Sequence, residues 1–241
     1  MLARDDHSLK KYFMQKVSII IPVFNEKKTL ETILERVAVA STLDFEKEII
    51  IVDDFSTDRS RELLLELQKK HAFRLEFHEQ NFGKGRALCT GFAIASGDII
   101  LIQDADLEYN PANWIDLLIE FKKPETQVVF GSRNIHPERR GYTSCILGVK
   151  ILTVAINLLY GSKLTDSYTC YKCFRKACLD GLKLESDKFE IEVELTTKFL
   201  KKGYFIKEVA ISYNPRKFEE GKKIAWRDGM LGLWAIFRYW F

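Results

Sequence analysis

Apolar residues in this chain fall into short runs separated by amphipathic stretches. Val17–Phe24, Glu48–Val52, Arg74–His78, Asp98–Gln103 and Gln127–Phe130 read as strands, and the uninterrupted apolar runs among them suit strands buried on both faces. Between them, Glu26–Ala40, Asp58–His71, Gly85–Ser96 and Pro111–Lys122 carry helical periodicity. Ser56 or Thr57 is the expected cap of the second helix, and proline opens the fourth. This alternation predicts the α/β class, with a mostly parallel sheet flanked by helices. The second half is less regular. Helices are expected over Ser144–Tyr160, Glu190–Lys202 and about Ile224–Tyr239, strands over Thr169–Phe174 and Tyr204–Tyr213, and a basic loop over Asn214–Lys223. Without repeats or a Pro/Gly/Ser linker, one domain over 17–223 is the economical reading. A charged arm, 1–16, precedes it and an amphipathic C-terminal helix, 224–241, follows it.

The composition, 46% hydrophobic and 29% charged over 241 residues, suits a globular protein with a sizeable core. A net charge of +3 gives no electrostatic reason to expect a nucleic-acid partner. Five cysteines, an odd number, and a charged N-terminus without an apolar leader predict reduced thiols and a cytoplasmic setting. Cys170 and Cys173 are spaced as a pair, but in a strand they face opposite sides, with no second pair to complete a zinc site; they read as buried small residues. The four histidines, His7, His71, His78 and His136, have no metal-ligand spacing and read as surface or packing residues.

The chemistry concentrates at strand ends. Asp104-Ala105-Asp106 follows the apolar run Asp98–Gln103, at the edge where open α/β sheets bind ligands. Residues i and i+2 of an extended chain point the same way, so both carboxylates can grip one hard cation and bridge it to phosphate. Three more loops follow parallel strands: Asn25-Glu26, Asp53–Ser56 and Asn81–Gly85. There Asp53 can accept from a base or ribose, Gly83 and Gly85 allow close backbone approach, and Lys84 offers charge to a phosphate. The Gly83-Lys84-Gly85 spacing is neither a dinucleotide fingerprint nor a P-loop. Glu190 and Glu194 share a helix face, expected to be solvated, whereas Glu192 is a weaker candidate for a buried polar or acceptor-site group.

Val17–Glu26, Ile51–Asp58, Asn81–Gly85 and Asp104–Asp106 together resemble the family 2 inverting glycosyltransferases of GT-A fold, a Rossmann-like sheet. Gly131-Ser132-Arg133, Leu164–Lys172 and Pro215–Ile224 are similar to the dolichyl-phosphate mannosyltransferase branch, the polyprenyl-phosphate glycosyltransferases. The resemblance implies that Pro22, Asn25, Glu26 and Asp53 line a nucleoside pocket, with Lys84 nearby. It implies that Asp104 and Asp106, with Glu108 as a further ligand, hold Mg²⁺ or Mn²⁺ with the diphosphate, and that Arg133, Arg216 and Lys222 contact phosphates. Two positions depart from the pattern. Glu219 stands where some relatives have glycine, and Lys172 stands where an arginine is common, which removes the bidentate fork.

The reaction so implied moves a sugar from a GDP- or UDP-sugar to a polyprenyl phosphate. A phosphate monoester is already anionic at neutral pH and needs no general base. A sugar or lipid hydroxyl acceptor does need one, and Asp166 is then the first candidate, although it also reads as a cap. A non-catalytic nucleotide-sugar-binding protein is the third reading, and the intact Asp104/Asp106 pair argues against it. A lipid acceptor implies work at a membrane surface, on the cytoplasmic face. Met230–Phe241, with Trp234, Tyr239 and Trp240, is too short to span but suits the interface, with Ile146–Tyr160 as a candidate aid; the competing expectation is that it packs on its own domain.

Overall fold

The computed structural model describes residues 15–135, 143–216 and 226–240. Seven strands form one sheet: β1 Lys16–Val23, β2 Glu46–Asp53, β3 Arg74–Phe77, β4 Ile99–Ile102, β5 Val128–Ser132, β6 Lys172–Arg175 and β7 Ile206–Ala210, in the spatial order β3-β2-β1-β4-β6-β5-β7. The central strands are apolar because both their faces are covered: Val17, Ile19, Ile20 and Ile21 of β1 and all of β4 are fully buried. β3 lies at an edge and keeps Arg74 and Phe77 exposed.

The helices are α1 Lys27–Val39, α2 Ser60–Leu67, α3 Lys84–Ile94, α4 Trp114–Leu118, α5 Thr143–Tyr160, α6 Ile191–Lys201 and α7 Trp226–Trp240. α4 is flanked by 3-10 turns at Pro111–Asn113 and Ile119–Lys122, so the expected continuous helix is tightened at both ends. α2 starts later than predicted. Neither Ser56 nor Thr57 caps it; the Asp58 carboxylate accepts from the Ser60 backbone N–H (3.0 Å) instead. Lys16 belongs to β1, so the arm expected over 1–16 ends before it, and 1–14 lie outside the described residues.

The sheet is parallel except for β6, which runs antiparallel to β4 and to β5. β6 is shorter than the strand expected over Thr169–Phe174. Because it is reversed, its entrance lies at the edge where β1, β2, β3 and β4 end. β5 and β7 run parallel to each other and end there too. Every catalytic candidate within the described residues therefore converges on one edge. α5, α6 and α7 pack on one another, and α6 also reaches α3.

Candidate active site

At this edge lies a cavity of about 300 Å³, walled by Pro22, Glu26, Asp54, Lys84, Asp104, Asp106, Glu108, Tyr109, Arg133, Lys188, Glu192, Tyr213 and Arg216, among others. Its floor is set by Gln103, a fully buried amide at the end of β4. The Gln103 side-chain amide donates to the carbonyls of Asp104 (3.0 Å) and Tyr109 (3.4 Å). Its oxygen accepts from Trp114 Nε1 (3.0 Å) and Tyr171 Oη (2.6 Å). A fully satisfied buried amide holds the 104–109 turn in one conformation. Leu107, with φ 65°, completes that turn, and the Glu108 N–H donates to Asp106 Oδ1 (3.0 Å). Nothing in the periodicity marks Gln103; its only sequence signal is a lone amide ending an apolar run.

Three carboxylates crowd this turn. Burial first, and then the charges of Asp104 and Glu108, push the Asp106 carboxyl up to about 7, against the pull of Arg216. Arg216 reaches Glu26 Oε2 (3.0 Å) and Oε1 (3.3 Å) and Asp106 Oδ2 (2.9 Å), while its backbone N–H donates to Glu108 Oε1 (2.9 Å). Tyr213 Oη donates to Glu108 Oε2 (2.7 Å). Among the described residues no three His, Cys, Asp or Glu side chains form a ready cage for a metal. The residues present nevertheless fit a divalent cation that shares its shell with a ligand's oxygens: the donors are all carboxylate oxygen, and the repulsion raising Asp106 is what a cation relieves.

Lys84 stands across the cavity floor. Its Nζ lies 2.8 Å from Asp104 Oδ1 and 2.9 Å from Glu192 Oε1. Burial pulls the ammonium down, but Asp104 and Glu192 outweigh it and hold Lys84 well above its ordinary value. Glu192 is buried as expected, and two lysines keep it ionised: burial would raise its pKa, but Lys172 (2.6 Å) and Lys84 hold it below the usual range. Lys172 thus clamps a carboxylate of its own chain. Glu194, expected on a solvated face, is fully buried; it accepts from the backbone N–H groups of Glu185 and Ser186 and pairs with Lys198.

Arg133 and Asp166 form a bidentate pair, Nε–Oδ2 2.6 Å and Nη2–Oδ1 2.7 Å, and the Arg133 N–H adds a third bond at 3.1 Å. The guanidinium lies 5.1 Å from the Tyr213 ring centroid. Asp166 is fully buried, does not line the cavity, and is consumed by these bonds.

The other sequence candidates are placed differently. Pro22 and Glu26 line the cavity, but Asn25 and Asp53 do not. Asn25, at φ 52°, ties two loops together: its N–H donates to Ser56 Oγ, and its Oδ1 accepts from the Thr57 N–H (2.7 Å). Asp53 pairs with Arg61 Nε (3.0 Å), and its Oδ1 is buried without a hydrogen-bond partner among the described residues. Its neighbour Asp54, not singled out from the sequence, does line the cavity. It accepts from the Phe82 (2.9 Å) and Gly83 (2.7 Å) N–H groups and contacts His78 Nδ1 (2.7 Å), so His78 buttresses the 81–83 loop. Gly83 and Gly85 admit close approach, but of the chain itself: a Cβ at Gly85 would sit 2.1 Å from the Ser186 carbonyl oxygen, and one at Gly83 2.5 Å from that of Asp187. Cys170, Cys173 and Cys178 are buried free thiols, as expected for the first two. Lys222 and Glu219 lie outside the described residues.

The family model for "Glycosyl transferase family 2" matches residues 18–182, a span that contains the 104–109 turn, Lys84, Arg133 and Asp166. The chain belongs to this family. Family 2 relatives include the dolichol-phosphate mannosyltransferase of Pyrococcus furiosus, 32% identical over 82% of this chain and 56% of that protein. The undecaprenyl-phosphate 4-deoxy-4-formamido-L-arabinose transferase of Photorhabdus laumondii is 28% identical over 87% of this chain and 63% of that protein. The chain thus spans rather more than half the length of these relatives. Among solved structures, glucosyl-3-phosphoglycerate synthase of Mycobacterium tuberculosis with UDP superposes with a TM-score of 0.72 at 18% identity, covering 94% of this chain and 80% of that one. The same enzyme has been solved with Mn²⁺, UDP and glucosyl-3-phosphoglycerate. At that identity the likeness is one of fold, and the fold is the GT-A glycosyltransferase sheet.

Proposed function

We propose that this family 2 glycosyltransferase moves a sugar from a nucleotide-sugar to a polyprenyl phosphate, with inversion at the anomeric carbon. The observation that carries the reading is the state of Asp166. It is the natural base for a hydroxyl acceptor, and it is buried, off the cavity and locked to Arg133. Among the described residues the other wall carboxylates are engaged as well: Glu26 and Asp106 by Arg216, Asp104 by Lys84, Glu108 by Tyr213, Glu192 by two lysines, and Asp54 by backbone N–H groups. A site that presents no free base suits an acceptor that needs none. The relatives named above act, by their names, on dolichol phosphate and undecaprenyl phosphate.

In this reading Pro22, Glu26 and the 53–56 and 81–84 loops receive the nucleotide. Asp104 and Asp106, with Glu108 beside them, hold Mg²⁺ or Mn²⁺, which supplies charge neutralisation for the departing nucleoside diphosphate. Arg133 and Arg216, with Lys222 as the third basic residue, receive phosphate oxygens of donor and acceptor. Arginine suits this because its planar fork matches a phosphate. The test is transfer from a panel of UDP- and GDP-sugars, with and without polyprenyl phosphate. Product on the lipid phosphate is expected from a subset of the donors; transfer to hydroxyl acceptors alone would overturn the reading.

In this reading the enzyme works at a membrane surface, on the cytoplasmic face, and α5 with α7 is the surface that suits it. The competing expectations for the C-terminal helix meet in one element, because α7 has two faces. Gly232, Ala235, Ile236 and Tyr239 dock on the body of the protein, Tyr160 Oη donates to the Ile236 carbonyl (2.9 Å), and Lys201 caps the last turn. The other face exposes Met230, Leu233, Trp234, Phe237 and Trp240, and neighbouring α5 exposes Leu147, Ile151, Val154 and Leu158 at helical spacing. No helix among the described residues is long and apolar enough to cross a membrane. A paired apolar face with tryptophans suits insertion into the headgroup layer. Removing α7 would strip Ala235, Ile236 and Tyr239 from the core, so point variants are the cleaner probe. The full chain should float with anionic liposomes, whereas Trp234→Asp/Phe237→Asp should stay in the soluble fraction with an unchanged melting temperature. Equal fractionation of the two would remove the anchor.

A further inference from the structure

Glu192 sits at the N-terminus of α6 and is only 2% exposed, yet it forms part of the cavity wall. Its two oxygens differ. Oε2 receives Lys172 Nζ at 2.6 Å in a regular hydrogen bond. Oε1 lies 2.9 Å from Lys84 Nζ, but no donor among the described residues makes a well-angled hydrogen bond to it. A buried carboxylate oxygen in this condition keeps acceptor capacity towards the cavity. Its distance from the chemistry is also fixed. Lys84 touches both Glu192 and Asp104, so Glu192 lies one ammonium away from the end of the site assigned to the diphosphate. Phe189 adds an aromatic ring to this wall, and Tyr109 and Tyr168 add two more.

A pyranose matches such a wall. Its rim carries hydroxyl donors that lose water on entry and need acceptors, and its C–H faces pack on aromatic rings. The group attached to the diphosphate in a nucleotide-sugar is the sugar itself. The inference rests on the donor reading given under Proposed function. We infer that Glu192 accepts a hydrogen bond from a ring hydroxyl of the donor sugar, with Lys84 donating to the adjacent oxygen, so that this pair selects the sugar. Lys172 is a positioning residue: fully buried and bonded to the Thr169 and Ser167 carbonyls, it aims Glu192 and balances its charge.

The test is calorimetry with Mn²⁺ on UDP and GDP, and on UDP-glucose, UDP-N-acetylglucosamine and GDP-mannose. The quantity read is the affinity ratio of each nucleotide-sugar to its own nucleoside diphosphate. For an accepted sugar that ratio should be about tenfold or more in the wild type, the range of a hydrogen bond to a charged group. Glu192→Gln alone leaves Lys172 buried without a counter-charge, so Glu192→Gln/Lys172→Met is measured beside it. In the double variant nucleoside diphosphate affinity should stay within about twofold, while the sugar ratio falls about tenfold. Monodeoxy analogues of the accepted donor need no variant: one of them should lose about tenfold on the wild type and lose nothing further on the double variant. A sugar ratio that survives in the double variant, or nucleotide and nucleotide-sugar weakening together, overturns the inference while leaving the donor reading standing. A wild type that binds no nucleoside diphosphate overturns the donor reading, and the inference with it.

Discussion

Asp106→Asn is expected to lower sugar transfer by about three powers of ten or more, because charge stabilisation by a bound cation is worth several kcal/mol in the transition state. The fold should survive. In the cation-free protein the Asp106 carboxyl is pushed up to about 7 by burial and by Asp104 and Glu108, so its ionised form is the unfavourable one. For an acid with a raised folded pKa, the stabilisation is fully present below the unfolded value and is lost as pH rises through about 7. Asparagine removes that cost. The variant should melt at or above the wild-type temperature at pH 8, the difference should shrink towards pH 5, and Mn²⁺ should raise the melting temperature of the wild type only. Near-normal transfer by this variant, or by the wild type in excess chelator, would refute the role given to the turn.

The second large effect concerns Arg133 and Asp166. Their pair has 17% and 0% side-chain exposure. Removing one partner leaves the other charge buried and alone, at a cost of about 3–5 kcal/mol. For a chain of this size that lowers the melting temperature by roughly 10 °C. Asp166→Ala and Arg133→Ala should both show this loss, and both should lose transfer. The charge-free double variant Arg133→Met/Asp166→Leu separates the two effects. It should recover most of the melting temperature and none of the transfer, because the arginine proposed to receive phosphate is gone. Recovery of both would mean that Arg133 is structural only, and would remove the phosphate contact proposed for it.

The first half of the fold was legible because strands buried on both faces leave long apolar runs, such as Ile19-Ile20-Ile21 in β1 and Ile99–Ile102 in β4. The second half was less so for a physical reason. Asp166, Ser167, Thr169 and Lys172 are fully buried polar groups bonded within the protein rather than facing water: Asp166 to Arg133, Ser167 to Thr153, and Lys172 to the Thr169 carbonyl and Glu192. Periodicity reads Thr169–Phe174 as a strand and contains none of these contacts. Glu194 misled in the same way: it is interior because it caps the N–H groups of Glu185 and Ser186, a contact that helix-face arithmetic does not contain. In the site, the i, i+2 carboxylates of Asp104 and Asp106 were readable from spacing. Gln103 beneath them and Asp54 behind the 81–83 loop were not, since Gln103 is held by the Trp114 and Tyr171 side chains and Asp54 by the Phe82 and Gly83 N–H groups, partners that periodicity does not bring together.

The reversed direction of β6 has an evolutionary consequence. The nucleotide side of the cleft is built from segments that leave their strands, after β1, β2, β3 and β4, whereas Tyr168 and Cys170 approach a strand that comes the other way. Length changes in the segment before Lys172 are taken up between α5 and β6, without shifting the register of β1 on β2 or β4. The two walls of the cleft can therefore drift separately. Residues 161–171 can vary without disturbing β1, β2 or β4, and chimeras spliced within that stretch should fold where they keep Asp166 as the partner of Arg133.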